Sequence, residues 1–65
     1  MKITITRVYN LFGEVVKSED PEDVTIVSCE RVELHKNKLF LLDGENLIGE
    51  LKLDFINYAY DFTGE

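Results

Sequence analysis

The stretch Arg31 to Leu53, RVELHKNKLFLLDGENLIGELKL, constrains the fold most, because three runs with β-type patterning are separated by turn-forming residues. Arg31 to His35 alternates, with Val32 and Leu34 opposed to Arg31, Glu33 and His35. Leu39 to Leu42 is apolar throughout, as a central strand covered on both faces should be. Asp43-Gly44 signals a tight hairpin, since Gly adopts positive φ without strain. Leu47 to Leu53 alternates again, with Ile48, Glu50 and Lys52 opposed to Leu47, Gly49, Leu51 and Leu53. The pattern predicts a three-stranded antiparallel meander.

Loop length then decides which residues share a face, because a slip of one residue inverts every side chain of a strand. A three-residue connection at Lys36-Asn37-Lys38 pairs Leu34 with Phe40 and Val32 with Leu42. One face then collects Val32, Leu34, Phe40, Leu42, Leu47, Leu51 and Leu53. The other keeps only Leu39, Leu41 and Ile48. A two-residue turn would split the apolar set, so the three-residue turn is the expectation. The smaller patch needs a cover, either the second wall of a barrel or another chain.

Before the meander, Met1 to Tyr9 alternates as a first strand, with Ile3, Ile5 and Tyr9 on one side. Leu11-Phe12-Gly13 reads as a turn that still buries Phe12. Val15-Val16 reads as a short strand or one arm of a long excursion. Glu19, Asp20, Glu22 and Asp23 make an acidic loop around Pro21, which lacks a backbone donor. Val24 to His35 reads as one long strand, with a bulge or bend where apolar parity fails at Ser28-Cys29-Glu30. Asp54 to Asn57 is expected to form a single 3₁₀ or helical turn capped by Asp54. Tyr58 to Phe62 is a last short strand, with Tyr58, Tyr60 and Phe62 on one side.

The result is one all-β domain over residues 1–65, a five-stranded barrel or strongly curled antiparallel sheet. A long first loop and a 3₁₀ turn before the last strand give this layout its resemblance to the small SH3-like barrels. The peptide-binding members carry an Ala-Leu-Tyr-Asp-Tyr run and a tryptophan pair. This chain has no tryptophan, so the resemblance implies an architecture and not proline-peptide recognition. Barrel closure suits a short β chain, which buries only about 60% of its unfolded surface and gains from losing its free edges.

Chemistry-bearing residues are few. Cys29 and His35 are the only thiol and imidazole, and six residues of straight strand would hold them about 20 Å apart. Cys29 is expected as a small buried hydrophobe and His35 as a surface residue. No catalytic group and no enzymatic activity follow from this. Zinc needs about four Cys, His or carboxylate ligands, and no such spacing exists. The scattered glycines build no phosphate cradle, so no cofactor is expected. One cysteine, no secretory leader and no apolar span point to the cytoplasm and not to a membrane.

Thirteen acidic residues against seven basic ones give a net charge of −6, which disfavours nucleic acid and favours basic partners. The expected function is a non-enzymatic protein–protein interaction domain, with self-association as a homodimer among its forms. Candidate contacts are Leu39, Leu41, Ile48, Tyr58, Tyr60 and the acidic loop. A second reading is an acidic DNA mimic that inhibits a nucleic-acid enzyme, of the kind phages and mobile elements encode. A third is a small barrel that binds single strands, with tyrosines as stacking platforms.

Overall fold

Lys2–Leu11 (β1) is the longest strand and organises the first sheet. Glu14–Lys17 (β2), Val24–Ser28 (β3) and Tyr58–Thr63 (β7) all pair with it antiparallel. Ile3 lies opposite Val27 and Phe62, and Ile5 opposite Tyr60. Arg31–His35 (β4), Lys38–Asp43 (β5) and Asn46–Lys52 (β6) form the predicted meander as a second sheet. This computed structural model describes residues 1–64. Among them there is no closed barrel: the chain is all-β and antiparallel, in two sheets. Seven strands replace the expected five because the first loop supplies β2 and the long strand divides at its bend. None of the described helices is long and apolar enough to cross a membrane.

That bend lies where the sequence pattern placed it. Cys29 N–H donates to Met1 O (3.0 Å), extending the ladder of the first sheet, while Glu30 N–H donates to Leu42 O (3.1 Å) in the second. Consecutive residues thus belong to different sheets, and β3–β4 is one strand shared between them. Glu30 is clamped further, its N–H reaching Asp43 Oδ1 (2.8 Å) and its carboxylate accepting from Gly44 N (2.7 Å). The core lies between the sheets. Ile3, Cys29, Leu39 and Leu41 are buried there, with Ile5, Val27, Val32, Leu51, Leu53 and Tyr60 packed around them.

The register of the meander differs from the expectation. The first turn has two residues, Lys36-Asn37, so Leu34 faces Leu39 and Val32 faces Leu41. Lys36 accepts φ 58° to make it. Leu39 and Leu41 therefore point into the core at 3% and 5% exposure, while Phe40 and Leu42 look outward. The second turn is Gly44-Glu45, with Asp43 opposite Asn46 and Leu42 opposite Leu47. One step further Leu41 lies opposite Gly49, so Ile48 is the extra residue of a β-bulge. The bulge reverses parity within β6, turning Leu51 inward and leaving Leu47 outside.

A 3₁₀ turn lies at Pro21–Asp23 in the acidic loop. Asp20 caps it by accepting from Glu22 N (3.0 Å). Residues 54–57 form the expected single turn, of the α type, closed by Tyr58 N–H donating to Asp54 O (3.1 Å).

Candidate interaction surface

β1 runs past the body of the molecule. Its residues Lys2 to Arg7 are flanked by β7 and, up to Thr6, by β3, but Asn10 and Leu11 pair only with β2. The result is a two-stranded arm, and the chain measures 44 × 24 × 18 Å. Phe12 (φ 53°) and Gly13 (φ 85°) close it. Positive φ at both central residues is the requirement of a type I′ hairpin, whose twist matches that of the flanking strands. Asn10 supports the turn by accepting from Gly13 N (3.1 Å).

Polar and buried groups fix the base of the arm. Val8 is buried, and its N–H donates to Asn57 O (2.9 Å). Tyr9 O–H donates to Asp23 Oδ2 (3.2 Å), with the Arg7 guanidinium 5.5 Å from its ring centroid. Lys17 pairs with Asp61 (3.0 Å). Towards the tip the side chains lose cover, and that of Phe12 is fully exposed. Every residue of β2 is exposed, as are Leu11 and Phe12. The expectation that Phe12 is buried fails, because the hairpin carries it beyond the reach of either sheet.

The α-turn at 54–57 abuts the base of this arm through the Val8–Asn57 hydrogen bond. Phe55 and Ile56 project from it into solvent. The Phe55 ring meets Tyr60 edge-on at 5.4 Å, and the Tyr60 hydroxyl accepts from Asp54 N (3.0 Å). Leu53, Phe55, Ile56, Tyr58 and Tyr60 line an open cleft of about 570 Å³. The side-chain amide of Asn57 and then its backbone N–H, with that of Ile56, hold the Asp54 carboxyl below its usual range. A depressed carboxyl stabilises the fold above its ordinary range and loses that contribution as pH falls through the folded value. A side-chain carboxyl titration by NMR should therefore place Asp54 below an ordinary aspartate, and Asn57→Ala should bring it back up. An unchanged midpoint in the variant would remove the Asn57 amide as the cause.

The remaining candidate residues divide. Leu39 and Leu41 belong to the core, which takes them off any contact surface, while Ile48 stands at the bulge and is 51% exposed. Tyr58 and Tyr60 are half-buried beside the cleft. Within the acidic loop Asp20 is the cap, and Asp23 accepts from both Ser18 Oγ (2.6 Å) and Tyr9 O–H. The loop is thereby tied to the arm, and Glu19 and Glu22 face solvent. Cys29 is buried at the bend. His35 lies exposed at the far end of β4, with Nε2 3.2 Å from Glu33 Oε1. Hydrogen bonds from Arg31 first, then His35, hold Glu33 below the usual carboxylate range. Among the described residues no three His, Cys, Asp or Glu side chains gather as metal ligands.

The sequence reading missed Leu11, Phe12, Val15, Phe55 and Ile56 as surface residues. For the first three the signal was present: two short apolar runs separated by a residue pair ending in Gly can fold back without reaching a core. No protein-family model matches the chain, and neither the curated proteins nor the solved structures contain a match to it.

Proposed function

We propose that the chain is a small non-catalytic protein–protein interaction domain of the cytoplasm, built as an open SH3-like barrel. The architectural part is supported by strand order. With the bent β3–β4 counted once, the order is β7, β1, β3–β4, β5, β6, and the arm takes the place of the long first loop. One observation carries the functional part. The four most exposed large apolar side chains are Phe12 (104%), Ile56 (85%), Val15 (72%) and Phe55 (72%). All four stand on the arm or on the turn that touches its base. Large apolar side chains left this exposed on one arm and the turn at its base support an interface there. The DNA-mimic reading has less support, since Glu33 and Glu50 are paired with Arg31 and Lys38 on the outer face of the second sheet.

The test is affinity capture with the immobilised chain, alongside Leu11→Asp and Ile56→Asp. Both side chains are exposed, so thermal midpoints should stay within a few degrees of wild type. Recovery of the specific partner should fall at least about 10-fold in each variant. Undiminished recovery by both would sink the reading.

A further inference from the structure

The geometry points to a second copy of this chain as the partner of β2, paired antiparallel edge to edge about a two-fold axis through Val16. This rests on the interaction reading and names the occupant of the arm. Ser18 N–H donates to Arg7 O (2.9 Å), so by alternation the backbone groups of Val16 and Glu14 also turn towards β1, and those of Val15 and Lys17 turn away from it. No described strand pairs with that outer edge. A two-stranded ribbon with exposed side chains is marginal in water, whereas four strands are not.

Symmetry limits the register. A two-fold axis normal to the sheet keeps each residue on its own face, so only residues of equal parity can lie opposite one another. Centring on Val16 sets Val15 of one copy against Lys17 of the other, where they exchange both backbone hydrogen bonds, twice over by symmetry. One face then carries an unbroken row of Tyr9, Val16, Val16 and Tyr9. On either side of that row, two residues along the strands, Glu14 lies opposite Ser18 of the second copy. Arg7 stands one strand further, about 10 Å away, within combined reach of a glutamate and an arginine over a small serine. Opposite charges meet there, and Lys17 is already neutralised by Asp61 of its own chain.

Net charge selects the same place. Glu14 and Lys17 leave the arm neutral in a chain of −6. Two copies of an acidic protein repel one another over most of their surfaces, and the neutral arm is where that cost is smallest. A basic partner would be drawn to the acidic surfaces instead.

Sedimentation equilibrium of the full chain tests this. Wild type should show a dimer mass that falls on dilution. Val16→Asp and Val16→Lys each set like charges on the axis and should weaken association at least about 100-fold. An equimolar mixture of the two variants should recover the dimer mass, which misfolding could not produce. A wild type that stays monomeric at millimolar concentration overturns the proposal, and so does a dimer indifferent to Val16→Asp. A monomeric wild type that still loses its captured partner on Ile56→Asp overturns the dimer alone and leaves the interaction reading standing.

Discussion

Leu39→Ala and Leu41→Ala should each cost about 2–5 kcal/mol in urea unfolding, the range for truncating a buried leucine. A chain of 65 residues has a total stability of roughly 3–10 kcal/mol, so either variant should lose a large share of it. Both residues are nearly inaccessible and sit between the sheets beside Ile3 and Cys29. Ile48→Ala, at the bulge, should change stability by no more than about 0.5 kcal/mol, as for an ordinary surface site. The comparison also tests the register. Were the turn at Lys36-Asn37 one residue longer, the larger losses would fall on Phe40 and Leu42. Cooperative unfolding curves for the three variants and wild type, with Phe40→Ala beside them, decide between the two.

That register shows where sequence patterning runs out. Strand positions within the meander follow from alternation and turn residues, and β4, β5 and β6 lie within a residue or so of where the pattern put them. The face did not follow, because Leu39 to Leu42 are all apolar and fit either parity equally well. Counting apolar residues over the whole meander then favoured the wrong turn, since the count assumed an unbroken β6. The bulge at Ile48 breaks it, and no residue type there announces a bulge. By contrast the bend at Ser28-Cys29-Glu30 was legible, because polar Ser28 and Glu30 interrupt an otherwise apolar parity and no register choice repairs that. The Asp54 cap was legible for a similar local reason: a carboxylate preceding a tight turn has the turn's own N–H groups within reach. The arm was half legible. Gly13 marked the turn, but whether a hairpin folds over a core or away from it depends on long-range packing that alternation does not encode.

Phe12 should show stability and binding pulling in opposite directions. Its φ of 53° lies in the left-handed region, where a bulky side chain is disfavoured by about 1–2 kcal/mol, and full exposure means that no folded contact offsets this. Phe12→Asn sets an asparagine directly before Gly13, the dipeptide best suited to a type I′ turn, and removes nothing that packs. The variant should therefore gain about 0.5–1 kcal/mol in thermal or urea unfolding. A turn residue with no further role would leave binding untouched. If Phe12 is instead an aromatic anchor presented to a protein partner, its removal should weaken that complex by at least about 30-fold, the loss typical of an interface hot spot. Calorimetric titration of the captured partner with both chains measures this directly. A more stable variant that binds as tightly as wild type would reduce the phenylalanine to a poor choice of turn residue. A more stable variant that has lost its partner would identify the strain as the cost of holding an aromatic ring out in water for another protein to cover.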